Sequence, residues 1–248
     1  MKIKEVIKKI ILQEKYSSAT YISYLKKLGV GIGDDCTIYV PSKTLIDLQY
    51  PWLISIGNHV RITQGVIILT HDYSWSVLKK YKSKNISEGL ILGASGRVAI
   101  GDNVFIGMNS IIMRGVSIGD NVIIGAGSVV TKDCESNGVY AGNPAHRIMG
   151  IEEYYGKRLE NQLKEATVLA KTYFQRYREK PPIEVFHEYF MLFTDDIDDL
   201  TKANRDKMRL CQNYKESEAY LKGNKPYFRN YEEFMNYCFE KEKEVEEN

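Results

Sequence analysis

Nothing in this chain pairs off into a disulfide framework or a zinc site. Its four cysteines, Cys36, Cys134, Cys211 and Cys238, stand far apart, and none belongs to a Cys-x-x-Cys pair. Isolated thiols suit a reducing compartment. Net charge is missing as well. Lys+Arg (34) nearly cancels Asp+Glu (32), and the resulting +2 gives no basic field for nucleic acid. No apolar run approaches the roughly 18 residues that cross a bilayer. The opening stretch MKIKEVIKKIILQEK interleaves Lys and Glu with its apolar residues, which breaks up the apolar core a signal peptide needs. The expectation is a cytoplasmic protein with no nucleic-acid partner and no integral membrane segment. Histidine is scarce too, so the candidates for an acid–base group reduce to His59, His71, His146 and His187.

What the chain does have is a repeat, the feature to seek first in any sequence. From Ile100 the residues fall into sixes: IGDNVF, IGMNSI, IMRGVS, IGDNVI, IGAGSV, VTKDCE. Ile100, Ile106, Ile112, Ile118, Ile124 and Val130 lead the blocks, and Val104, Ser110, Val116, Val122, Ser128 and Cys134 hold the fifth place. A second stretch, IGNHVR, ITQGVI, ILTHDY, begins at Ile56, and a weaker trace begins at Ile32 and continues into Ile38. Between Tyr39 and Leu53 the period is poor. A large aliphatic residue points inward once per block, while Gly, Asp and Asn occupy turns where positive φ or local side-chain bonding helps. Such short strands bury their apolar faces only by stacking coil on coil. A β-sandwich is the alternative, but its strands would alternate with period two between wider-spaced turns.

The repeat breaks once. Residues 72–96, between His71 and Arg97, form a loop ejected from the coil, and long loops in compact folds are usually functional. The flanks differ in kind. Residues 1–28 carry Ile3, Val6, Ile7, Ile10 and Ile11 at helical spacing, which predicts a helical cap on the open end of the coil. Residues 29–149 form the repeat domain. Residues 150–248 read as a helical extension: a long helix from Glu152 broken near Pro181 and Pro182, a run around Ile183–Phe193 and another over 231–243. This extension is rich in Tyr and Phe, which pack well and also stack on sugars.

The six-residue period resembles that of the hexapeptide-repeat family. With the closing sequences NVIIGAGSVVTKD and VYAGNPAHRI, it resembles the acetyl-CoA-dependent hexapeptide acetyltransferases. These include the galactoside, maltose, serine and xenobiotic acetyltransferases and the O-acetyltransferases of surface polysaccharides. The resemblance covers residues 30–150. It implies a mainly β fold, a single-stranded left-handed parallel β-helix between an N-terminal helix and a C-terminal α-helical extension. Left-handedness is implied by the family, since crossovers are otherwise right-handed. It also implies a homotrimer with acetyl-CoA in the groove between adjacent prisms, and no metal.

Carried over position by position, Gly125, Ala126 and Gly127 lie where small residues let the pantetheine arm approach the backbone. Ala126 and Ser128 would contact its amides. Thr131 and Lys132 match the pair near the adenosine phosphates, Pro144 the residue on the adenine, and Arg147 a basic residue at the phosphates. Phe105 stands where many relatives have Trp, and Ser110 matches a polar residue facing the arm. Ser110 and Ser128 equally suit corner filling, Lys132 a solvated turn, and Pro144 the end of the coil.

His71 sits where the family holds its catalytic base, at the coil's exit into the long loop. Imidazole titrates near neutrality, so it can take a proton from an acceptor hydroxyl and return it to the leaving thiolate. Asp72 could orient a ligand or cap the turn. The polar acceptor residue of sugar-acetylating relatives is missing from YVPSKT, where Ser42 is a weak substitute. A carbohydrate hydroxyl is the favoured acceptor. Antibiotic O-acetylation and amino-sugar N-acetylation are the alternatives within the family. A γ-class carbonic anhydrase would need three zinc-binding histidines, and no third follows His59 and His71 at ligand spacing. A non-catalytic scaffold would not require the histidine or the closing signature.

Overall fold

A computed structural model of the chain describes residues 10–82, 84–85 and 89–240. The chain divides into two compact units, Met1–Tyr154 and Tyr155–Asn248.

The first unit is a coil of very short strands. Each turn lays one strand on each of three sheets: β1 (Gly31–Ile32), β2 (Thr37–Ile38) and β3 (Leu45–Ile46), then β4 (Ile54–Ile56), β5 (Arg61–Ile62) and β6 (Ile67–Ile68). Two further turns supply β7 (Val98–Ile100), β8 (Phe105–Ile106), β9 (Ile111–Ile112), β10 (Ser117–Ile118), β11 (Val122–Ile124) and β12 (Val129–Val130). The first sheet runs β1-β4-β7-β10, the second β2-β5-β8-β11 and the third β3-β6-β9-β12. Every pairing among these strands is parallel. A hairpin of β13 (Gly138–Gly142) and β14 (Ala145–Gly150) closes the second sheet, β14 running antiparallel.

The period-six aliphatics form the core. Ile38, Ile62, Ile106 and Ile124 stack in register along the second sheet, and Ile46, Ile68, Ile112 and Val130 along the third, all buried. Val104, Ser110, Val116, Val122, Ser128 and Cys134 fill the corners and are buried too. Burial pushes the Cys134 thiol up to about 11, with nearby Asp133 adding to it, which leaves it a packing residue. Ile106→Ala is expected to cost about 2–5 kcal/mol, because the stack cannot collapse around the missing methylenes. A urea midpoint that falls at constant slope would report it.

One corner shows why Gly-Asp/Asn recurs. His59, Asn103, Asn121 and Asn137 stack there with φ of 55–60°. Asn103 Nδ2 donates to Asn121 Oδ1 at 2.8 Å, and Asn121 Nδ2 to Asn137 Oδ1 at 2.9 Å. The Asp102 carboxylate accepts from Asn58 N at 2.7 Å. A Cβ on Gly57 would meet that carboxylate at 2.2 Å and the Gly101 carbonyl oxygen at 2.7 Å, so only glycine fits.

Part of the N-terminal segment can be described. Ile10 and Ile11 are exposed, and Ile3, Val6 and Ile7 lie outside the described residues. The cap is α1 (Ser18–Leu28), which starts at a Ser17/Thr20 capping box and ends on Gly29 at φ 104°. It buries Tyr21 and Leu25 against the core, and its Ser18 hydroxyl accepts from Ile38 N at 2.9 Å.

The second unit is helical. It holds most of α2 (Ile151–Tyr177), then α3 (Lys202–Leu210), α4 (Tyr214–Leu221) and α5 (Tyr231–Glu240). The expected helix around 183–193 is instead two 3-10 turns, Ile183–Phe186 and Phe190–Leu192. Helix α3 escapes a search for apolar periodicity because it buries only Asn204 and Met208; its sequence mark is the Thr201/Asn204 capping box. Phe193 and Phe234 stack at 5.3 Å, Phe186 meets both edge-on, and Ala166 and Ala170 of α2 are fully buried in the same cluster. A mainly β description therefore holds for the coil but not for the chain, in which helices hold more residues than strands. Among the described residues no helix is long and apolar enough to cross a membrane.

Candidate functional site

The third sheet positions the central group. After β6, Leu69 N still bonds Ile112 O at 3.0 Å, so the chain stays on the coil through Thr70 and leaves it at His71. The exit is clamped. Asp72 N donates to Ala94 O at 3.0 Å, Gly96 N to Thr70 O at 2.8 Å, and His71 bridges Ser95 antiparallel. The loop springs from a rigid base, and His71 sits on that base.

One coil earlier, Asp47 N donates to Ile68 O at 2.9 Å, which brings the Asp47 side chain beside the exit. Asp47 is 8% exposed. Its Oδ2 accepts from Thr70 N at 2.9 Å and Thr70 Oγ1 at 2.6 Å, and lies 2.5 Å from His71 Nδ1. Its Oδ1 accepts from Gln49 N at 3.0 Å. Burial pushes this carboxyl up. The Thr70 hydroxyl, the Gln49 and Thr70 N–H groups and the His71 ring outweigh burial and hold it at about 2. A buried carboxylate on Nδ1 keeps the proton on that nitrogen and leaves Nε2 as the lone-pair side of the ring. This dyad can accept a proton at Nε2 and steady the imidazolium that results.

The sequence reading missed Asp47. In the later coils Ile106 stands on Ile124 at the regular spacing, but the first coil is stretched by the 3-10 turns Pro41–Lys43 and Pro51–Leu53. A residue one coil away from His71 could not be counted off there. Ser42 lies exposed in the turn before β3, whereas Asp47, just after β3, reaches the histidine. Asp72 caps its own turn. It accepts from the Ser74 amide and hydroxyl and from Arg114 Nε, and the Ser74 hydroxyl first, then Arg114, hold it at about 2.

The donor-side candidates gather in part. Gly125, Ala126, Gly127 and Ser128 form the corner between β11 and β12, with Ala126 and Gly127 exposed. Ser110 and Ser128 are fully buried. Both hydroxyls donate to Gly125 O, at 2.9 and 2.6 Å, and Ser128 Oγ also accepts from Gly142 N at 3.2 Å. Their side chains build the corner, so its outer surface is backbone and small residues. Pro144 is exposed at the tip of the β13–β14 hairpin. Thr131 and Lys132 follow β12, at the same edge of the third sheet as His71 but two strands along it, about 10 Å by ordinary strand spacing. Arg147 Nη2 is turned back onto Asn137 O at 3.1 Å. Phe105, 42% exposed, is on the second sheet between Arg61 and Ile123, lining a hollow of about 220 Å³. His59 is held in its corner 3.5 Å from Asp35 Oδ2, and His187 Nδ1 lies 3.1 Å from Glu184 O.

Comparison with known proteins finds relatives of the coil. A family pattern described as the hexapeptide repeat of succinyl-transferase matches residues 97–132. The protein CapG of Staphylococcus aureus is 50% identical over 138 residues, 55% of this chain and 75% of CapG. YvoF of Bacillus subtilis (strain 168), whose name assigns it provisionally to the acetyltransferases, is 34% identical over 114 residues, 46% of this chain and 57% of YvoF. A solved maltose O-acetyltransferase from Clostridium difficile 630 is 28% identical, covering 59% of this chain and 82% of that one, with a TM-score of 0.43. On its repeat, its coil and the extent of its likeness to these relatives, the chain belongs to the hexapeptide-repeat acetyltransferase family.

Proposed function

We propose that this acetyltransferase moves an acetyl group from acetyl-CoA to a hydroxyl of a carbohydrate, in the modification of a surface polysaccharide such as capsule or lipopolysaccharide. The observation that carries the transfer step is the buried Asp47 carboxylate on His71 Nδ1. His71 Nε2 removes the acceptor proton as the acceptor oxygen attacks the thioester carbonyl carbon. The C–S bond breaks, and the imidazolium returns the proton to the CoA thiolate. No enzyme nucleophile is required. The donor lies along the corner of Gly125, Ala126, Gly127 and Ser128, where exposed Ala126 and Gly127 leave room for an extended arm. Thr131, Lys132, Pro144 and, once swung from Asn137, Arg147 meet the nucleotide end. Ala126→Trp is expected to raise the KM for acetyl-CoA about tenfold, equivalent to ~1.4 kcal/mol of lost binding, while the KM for the acceptor holds.

A homotrimer would complete the site between subunits. Two observations support it. Leu45, Ile67, Ile111 and Val129 line the outer face of the third sheet as an apolar row, with Leu45 50% exposed. The loop exposes Tyr73, Val77, Tyr81, Leu90 and Ile91, large apolar side chains that a neighbouring subunit would cover. Its free cysteines suit the cytoplasm.

The test is to incubate the protein with acetyl-CoA and a panel of galactose, maltose, N-acetylgalactosamine, glucosamine, serine and chloramphenicol, following free thiol and identifying the product by NMR. An acetyl ester on a sugar is the expected product. An amide on glucosamine, or turnover confined to serine or chloramphenicol, would contradict the reading.

A further inference from the structure

The stretched first coil has a second consequence. The turn after Asp47 carries Tyr50, Pro51 and Trp52, and Trp52 is 68% exposed although its side chain is among the most costly to leave in water. The turn that holds it is firm. Pro51 is buried at its first position, Leu53 N donates to Tyr50 O at 3.0 Å, and Ile54 N bonds Pro51 O. Tyr50 then links two rings. It meets Trp52 edge-on, with centroids 5.7 Å apart and planes at 65°, and meets His71 edge-on at 6.0 Å and 86°. The exposed indole is thus placed two ring contacts from His71, on the coil that also supplies Asp47.

The geometry points to Trp52 as a platform on which a pyranose ring of the acceptor stacks, next to the hydroxyl that His71 deprotonates. This rests on the carbohydrate reading above and says how the acceptor is recognised. An indole face is flat, apolar and uncharged. It suits the C–H face of a sugar, whose hydroxyls stay at the rim in water. The surface is open rather than enclosed, and Gln49 on the same turn is exposed. A wholly apolar ligand would gain little on so open a face. Tyr50 touches both the platform and the base, so it is a positioning residue: it holds Trp52 and His71 in one arrangement.

The test compares the wild type with Trp52→Ala and Trp52→Phe on the best sugar of the panel and on chloramphenicol. Loss of the platform is expected to raise the sugar KM about tenfold, with kcat little changed. The KM for acetyl-CoA and the molar mass by light scattering should hold, and Phe should restore most of the loss. The chain has two tryptophans, so Trp75→Phe leaves Trp52 as the reporter. Adding the sugar alone should then change its fluorescence. An unchanged sugar KM in Trp52→Ala overturns the platform. So does a changed molar mass, which would make Trp52 an interface residue. A wild type that acetylates no sugar overturns the carbohydrate reading itself, which separates the two failures.

Discussion

Asp47→Asn is expected to slow acetyl transfer at least ~10-fold and up to ~10⁴-fold, the range between a lost carboxylate partner at a metal-bound imidazole and one at a catalytic base. Three donors converge on Oδ2, from the Thr70 amide, the Thr70 hydroxyl and His71 Nδ1, and the Gln49 amide meets Oδ1. An asparagine cannot accept at both positions. With its oxygen toward Thr70, its NH2 faces the Gln49 N–H. With its NH2 toward Thr70, it faces another N–H and drives the His71 proton onto Nε2, the nitrogen proposed here as the base. Either way the negative charge that steadies the imidazolium is gone. The loss should fall on kcat, with the KM for acetyl-CoA unchanged, in steady-state assays against both substrates. An unchanged kcat would reduce Asp47 to a structural carboxylate.

The same carboxylate makes stability depend on acid. In the fold it is held at about 2, below the ~3.9 of an unfolded aspartate. Its contribution is therefore fully present above about pH 4 and is lost as pH falls toward 2. Thermal melts of the wild type and Asp47→Asn should differ most above pH 4 and converge at lower pH. A constant gap across that range would show that the Asp47 bonds are not what its ionisation stabilises.

The coil was legible in the sequence because its packing rule is local. One inward aliphatic every six residues, from Ile100 to Val130, is all the stack needs, and the corner residues repeat with it. His71 was legible as the last residue before the repeat breaks. Asp47 and Trp52 were not, and for the same reason. The first coil carries extra residues in its 3-10 turns, so the count that relates one coil to the next fails at Asp47 and Trp52. Ser110 and Ser128 show the reverse limit. Their positions were read correctly from the repeat, but whether a hydroxyl turns out toward a ligand or in toward Gly125 O is set by the neighbouring coil. Within the N-terminal segment, Ile10 and Ile11 fit the helical spacing but are exposed, while Tyr21 and Leu25 do the burying.

The largest expected effect belongs to His71→Ala. In the proposed mechanism, removing the imidazole takes away both proton transfers, from the acceptor hydroxyl and to the thiolate, and general acid–base catalysis of this kind is worth ~10²–10⁴-fold. The residue is a third exposed and stands at the exit of the coil, outside the aliphatic stack, so the fold should survive its truncation. Asp47 keeps its bonds from Thr70 and Gln49 and remains satisfied. The most direct test of the account is ester formation on the best sugar by wild type and His71→Ala side by side, with CoA affinity of each measured by calorimetry. The account predicts a rate at least ~10²-fold lower in the variant with CoA affinity unchanged; equal rates in the two proteins would contradict it.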